Sequence, residues 1–170
     1  HLQLGLPRSA PWVVPEVVAN PILEQCAAAL LGPCFLGFYN GNTNTPQSGD
    51  ENHAQPMHAD GAWVWKSREE ADAARMPWPH PATGVVINFG VDSISELDGT
   101  EVWPGSHNDT CVLEAPASGA SREGGLAVAY PAAVEARRAS APPVRNTIPK
   151  GAVAIRDVRL WHRMNQPLGT

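Results

Sequence analysis

Cysteine is scarce and unpatterned in this chain. Cys26, Cys34 and Cys111 form an odd set, which argues against a disulfide framework. Cys26 and Cys34 read instead as small apolar residues. Long hydrophobic runs are missing too: no apolar stretch approaches the ~20 residues that cross a bilayer, and the start shows no secretory signal pattern. Positive charge is thin, with 12 Lys and Arg against 17 Asp and Glu and a formal net charge of −5. Without a basic cluster to neutralise phosphates, a nucleic-acid partner is not expected. There is no internal repeat and no low-complexity tract. These absences leave a cytoplasmic protein with neither membrane nor nucleic-acid partners as the expectation. Aromatic residues make up only 6% of the chain, yet six of them are Trp, enough to line a cavity or to fill a core.

What remains is an ordinary globular composition, 43% apolar and 17% charged over 170 residues, which suits one domain with a full core. The chain opens on His1 rather than Met and stops at Thr170 soon after a chemically suggestive segment, so it reads as an excerpt trimmed at both ends. Asn20-Pro21 has the form of an N-cap followed by proline at the first helical position. Ile22, Leu23, Cys26, Ala27 and Leu30 recur at helical spacing, and Gly32-Pro33 supplies the stop. That helix is expected to bury one stripe against a sheet. Phe35 to Tyr39 reads as a short strand and Gly41 to Asn52 as a loop.

Ser67-Arg68-Glu69-Glu70 has capping-box spacing for a polar surface helix over Ser67 to Arg75, with Glu69, Glu70 and Asp72 on a solvated face. Met76 to Pro81 carries three prolines and cannot be regular structure. Gly84 to Val91 is the clearest strand, apolar enough to be buried on both faces. Leu97 to Thr100 is a turn, and Glu101 to His107 is a strand running into a Pro-Gly turn. Thr110 to Pro149 suggests long connections around Gly124-Gly125, with a helix opening at Pro131. Gly151 to Arg156 is a strand, Asp157 to Arg159 turns it, and Leu160 begins the next. Short strands, long loops and few helices make an all-β core with flanking helices, of the sandwich or jelly-roll kind.

The chemistry concentrates at His58-Ala59-Asp60. In an extended segment residues two apart face the same side, so an imidazole and a carboxylate aim at one point. A third ligand from a distant strand, His162 in Trp161-His162-Arg163, would complete a two-histidine, one-carboxylate facial triad with open positions, the arrangement of non-haem Fe(II) oxygenases. Taken singly, a His-x-Asp pair is common, and a histidine beside a tryptophan is more often structural. Asn88 interrupts the Gly84–Val91 strand and either contacts a cosubstrate or hydrogen-bonds locally.

Three blocks in a fixed order sharpen the reading: Gln55-Pro56-Met57-His58-Ala59-Asp60, then Gly99 to His107 with its Pro-Gly-Ser-His turn, then Gly151 to His162 with its Trp-His-Arg end. With these blocks the chain resembles the phytanoyl-CoA dioxygenase family of Fe(II)/2-oxoglutarate-dependent oxygenases over most of residues 20–170. The resemblance implies a double-stranded β-helix, a cupin-like jelly roll, with residues 1–170 as a single oxygenase domain lacking its last strands. It implies that His58, Asp60 and His162 hold Fe(II), that 2-oxoglutarate and O₂ take the open positions, and that a small organic molecule is hydroxylated with succinate and CO₂ as co-products.

The family's arginine for the far carboxylate of 2-oxoglutarate would fall beyond Thr170. Arg163 is a poor substitute because adjacent strand residues face opposite sides; Arg156 or Arg159 could take the role only in principle. Gln55 is a second candidate for cosubstrate contact. Ser106 and His107 either fasten their turn or reach the site. His53 and His80 read as loop residues, and Trp63, Trp65 and Trp78 as pocket lining or core. Two alternatives stay open: a non-catalytic jelly-roll binding domain, and a cupin-type metalloenzyme, using Zn or Mn, that does not use 2-oxoglutarate. The sequence sets no oligomeric state.

Overall fold

The computed structural model of the chain describes residues 2–7, 9–43, 55–61, 63–114 and 127–164. They gather into two compact units, His1–Gln47 and Ser48–Thr170. No helix among the described residues is long and apolar enough to cross a membrane.

In the first unit, β1 (Leu2–Leu4) pairs antiparallel with β2 (Gly41–Thr43). A short α1 (Pro15–Val18) precedes α2 (Pro21–Leu31). The Asn20 side chain accepts the Ile22 and Leu23 N–H groups at 3.0 and 3.4 Å, two of the donors that a helix start leaves orphaned. Gly32, at φ 72°, ends the helix. Two expectations fail here. Phe35 to Tyr39 forms no strand; it has no partner strand, and Phe35 is 91% exposed. The stripe on α2 buries only Leu23 and leaves Ile22 and Leu30 exposed, because so small a unit encloses little surface. Gly41–Thr43, read as loop, is strand β2; the rest of that loop, with His53, lies outside the described residues, as do Gly124 and Gly125.

The second unit is built on a six-stranded antiparallel sheet with the order β6 (Val112–Glu114), β7 (Ala127–Ala129), β3 (His58–Ala59), β10 (His162–Arg163), β5 (Thr100–Val102), β8 (Val144–Asn146). A separate antiparallel ribbon pairs β4 (Val85–Phe89) with β9 (Val153–Asp157). The architecture is thus mostly antiparallel sheet with a few helices, compatible with a sandwich. The expected strand at Gly84 to Val91 is present as β4, but half-buried rather than buried on both faces, since one strand pairs with it.

Strand alternation sorts this sheet into two faces. Met57, Ala59, Trp103, Ala129 and Trp161 form a buried cluster with Trp63 and with Val134 of α4 (Pro131–Ser140). Their strand neighbours His58, Val102, Val128 and His162 stand opposite one another in register, so they share the other face. One face is the core under α4; the other carries the candidate ligands. Helix α3 (Arg68–Ala74) starts as its sequence implies: the Ser67 hydroxyl accepts the Glu70 N–H at 3.2 Å, and the Glu70 carboxylate accepts the Lys66 N–H at 2.7 Å.

Candidate metal centre

His58 of β3 and His162 of β10 are direct cross-strand partners, with ring centroids 4.4 Å apart. Asp60 follows on the same side. Its Oδ1 lies 3.9 Å from His58 Nε2 and its Oδ2 3.5 Å from His162 Nε2. One ligand atom from each of the three residues lies within 4.8 Å of the others. The histidines are buried and Asp60 opens to solvent, so the group is reachable from one side.

Each imidazole is oriented by its own chain. His58 Nδ1 sits 2.8 Å from the Pro56 carbonyl and His162 Nδ1 2.9 Å from the Leu160 carbonyl. A carbonyl only accepts, so Nδ1 carries a proton in both rings, and both Nε2 atoms face Asp60. This is the arrangement that presents histidine to a metal. Burial lowers the His58 pKa, and the neighbouring His162 lowers it further, against smaller opposing effects of the Pro56 hydrogen bond and Asp60. Burial alone would raise the Asp60 pKa; hydrogen bonding to His162 and the charges of His162 and Arg156 outweigh it and hold the carboxyl well below the usual carboxylate range. Two imidazole nitrogens and one ionised carboxylate are the donor set for a divalent cation. His58, Asp60 and His162 therefore form a group able to hold a metal ion.

Three local devices bring these side chains together. Gly61 lies so close to the β9–β10 turn that a Cβ there would meet Val158 Cγ2 at 2.6 Å, and its N–H donates to the Val158 carbonyl at 3.0 Å. The Ser106 hydroxyl, fully buried, accepts the Trp161 N–H at 2.8 Å, one residue before His162. Gly105, at φ 82°, makes the Pro-Gly turn that delivers Ser106, a conformation open mainly to glycine. Arg159 supplies the third. Its backbone N–H and Nε donate to Asp157 Oδ1 at 2.8 and 2.9 Å, Nη2 donates to Oδ2 at 2.7 Å, and Nη1 donates to the His80 carbonyl at 2.9 Å.

His80 is not the ordinary loop residue expected. It is buried, stacks on Trp65 at 4.0 Å, and accepts the Val64 N–H on Nε2 at 2.9 Å. Nδ1 therefore carries the proton, toward the Pro81 carbonyl at 2.7 Å. A histidine within three prolines gave no sign of this, because its partners come from Val64 and Arg159.

The remaining candidates divide. Gln55 Oε1 accepts the Met164 N–H at 2.8 Å, a fastening between segments. Asn88 stands opposite Ala154, and Val86 opposite Arg156, so Asn88 and Arg156 share one face of the ribbon. Arg163 is engaged with Glu101 at 3.0 Å, away from the triad. Ser106, rather than the His107 ring, fastens the Pro-Gly turn; His107 contributes its carbonyl to Trp63 Nε1 at 3.0 Å. Trp63 is core, Trp65 packs on His80, and Trp78 is partly exposed. Arg156, only a distant possibility from sequence, enters the site directly: Nη2 lies 2.6 Å from Asp60 Oδ2. Its signal was a charged residue in the otherwise apolar run Val153 to Ile155.

No protein-family model matches the chain, so the functional reading rests on the ligand geometry and on the resemblance carried by the three sequence blocks.

Proposed function

We propose that this protein is an Fe(II)- and 2-oxoglutarate-dependent oxygenase that hydroxylates a small organic molecule, built on a jelly roll and related to the phytanoyl-CoA dioxygenases. The supporting observation is the cross-strand placement of His58 and His162, both Nε2 atoms turned toward Asp60, with the two Nδ1–H groups held by backbone carbonyls. Two imidazoles and one carboxylate holding an ion from one side would leave positions for a bidentate cosubstrate and for O₂. Iron bound there would supply the redox chemistry of dioxygen activation, which no side chain offers.

The chain's own residues set the conditions. Asp60 contributes the single negative charge. The Pro56 and Leu160 carbonyls fix ring orientation, and Val102 and Val128, cross-strand partners on the same face, flank the histidines with apolar side chains. The test is succinate formation from 2-oxoglutarate, dependent on Fe(II) and O₂, in wild type and in His58→Ala. Loss of the product in the variant is expected. Succinate formation that ignores the substitution would defeat the assignment, and metal binding without any 2-oxoglutarate turnover would leave a cupin-type metalloprotein in its place.

A further inference from the structure

Residues 35–39 have the composition of a strand and lie unpaired in solvent. The stretch 34–40 contains no helix, turn or bend, so it runs straight into β2 at Gly41. No backbone N–H or C=O of residues 35–39 is hydrogen-bonded to another described residue. β2 pairs with β1, and that pairing ends where Leu4 meets Gly41. Past it the facing strand reaches Gly5, Leu6 and Pro7, and proline has no N–H with which to carry a ladder on. The side chains are as bare as the backbone: Phe35 is 91%, Leu36 63% and Phe38 71% exposed. Two aromatic side chains of about 150–250 Å² each, with Leu36 between them, make an apolar strip of a size that marks an interaction site. An open apolar edge is a template for strand addition.

Three features select a second copy of this chain as the occupant. No Asp, Glu, Lys or Arg occurs within residues 25–49, although the whole chain carries −5. The strip therefore favours neither an acidic nor a basic partner, and two copies bring no like charges together on it. Phe35-Leu36-Gly37-Phe38-Tyr39 is also close to a palindrome about Gly37. Two antiparallel copies centred there set Leu36 opposite Phe38 twice and Phe35 opposite Tyr39 twice, which are the apolar and aromatic pairs that stabilise such ladders. Last, the segment continues β2, whose ribbon has two strands, and a two-stranded ribbon is marginal by itself. We propose that residues 35–39 are a self-association strand that pairs antiparallel with the same segment of a second copy, closing a twofold dimer. The strip falls below the ~1,200 Å² of a standard interface, so the dimer is expected to be reversible, with a Kd on the order of 10 µM.

Sedimentation equilibrium of the full chain at about 200 µM, well above that Kd, tests it, with EDTA present so that no metal bridges two copies. Wild type is expected to weigh close to twice 18.1 kDa. Leu36→Glu and Phe38→Lys each set a charge against an apolar partner and should weaken the dimer at least ~10-fold. Both positions are exposed in the single chain, so urea midpoints should stay at the wild-type value. Mixed one to one, these two variants place the new carboxylate opposite the new ammonium at one pair and keep Leu36 opposite Phe38 at the other, so the dimer returns. A mixture of Leu36→Glu with Leu36→Lys matches charges only in a parallel register and stays monomeric. A monomeric wild type, a dimer indifferent to either charge, or no return in the first mixture overturns the proposal, as does a return in the second. Wild type that stays monomeric but cosediments with phosphatidylcholine vesicles, and loses this with Phe38→Lys, overturns it in favour of a lipid contact.

Discussion

Replacing Arg159 with Met should cost more stability than any other single substitution near the site. Arg159 is 2% exposed and makes four hydrogen bonds, three to Asp157 and one to the His80 carbonyl. Its backbone N–H survives the substitution, but three guanidinium bonds do not. The Asp157 carboxylate, whose side chain is 15% exposed, is then left without its counter-ion. Removing one partner of a buried ion pair typically costs about 3–5 kcal/mol, a large part of the 5–15 kcal/mol that holds a domain folded.

In urea, with a slope of about 2 kcal/mol per molar, the midpoint should fall by about 2 M. Tryptophan fluorescence is the natural probe, since Trp103 and Trp161 are fully buried, and EDTA keeps metal linkage out of the measurement. Substituting both partners, Arg159→Met with Asp157→Ala, removes the orphaned charge along with its cause. The double variant should cost less than the sum of the two singles by at least ~1.5 kcal/mol.

The acid side gives an independent check. Burial alone would raise the Asp157 pKa, but the Arg159 hydrogen bonds and charge lower it more. A depressed carboxyl contributes stability that is present above the unfolded value of ~3.9 and is lost as pH falls through the folded pKa. Without the guanidinium the depression shrinks, leaving only the residue-159 backbone N–H and the His107 charge to oppose burial, so the variant's midpoint should converge on wild type between pH 6 and pH 3. Additive single effects, a loss under ~1 kcal/mol, or midpoints that stay parallel with pH would refute the clamp.

Other outcomes follow from the same contacts. Ser106→Ala leaves the buried Trp161 N–H without an acceptor and should lower stability by about 1–3 kcal/mol in urea titration, with weaker Zn(II) binding because His162 is the next residue. Gly61→Ala places a methyl against Val158 and should weaken Zn(II) binding about 10- to 100-fold, as disturbed ligand supports commonly do; adding Val158→Ala should restore it, and absence of rescue would reject the steric cause. His162→Ala should abolish stoichiometric Zn(II) and Co(II) binding in competition titrations, with far-UV circular dichroism unchanged. The lowered His58 pKa keeps its Nε2 free of protons below the ordinary imidazole range. In an NMR titration of the metal-free protein the His58 ring should therefore titrate below that range, and a midpoint at the ordinary imidazole value would contradict the burial argument.

Local signals were legible in the sequence and non-local ones were not. Asn20-Pro21 at one helix start, Ser67 with Glu70 at another and Pro131 at a third act through neighbours a few residues away, and each helix begins where those residues place it. The run from Val153 to Arg156 announced its strand by composition. His58 and Asp60 were readable as a pair because period two fixes their common side, and His162 was readable only through block order. By contrast, Phe35 to Tyr39 has the residues of a strand but no partner to pair with, and pairing is what makes a strand. Arg156, Arg159 and His80 were missed or undervalued because their meaning lies in contacts with Asp60, Asp157 and Val64, none of which periodicity can foresee.

The face-to-face placement of His58 and His162 has a consequence for assembly. The two strands that carry them are short and meet from far apart along the chain, so little local propensity favours their meeting. An ion gripping both rings would act as a rivet across that seam, adding its binding free energy to the folded form alone. Metal depletion should then do more than silence any chemistry: it should loosen the junction between β3 and β10 first, visible as faster amide exchange there while the β4–β9 ribbon remains protected.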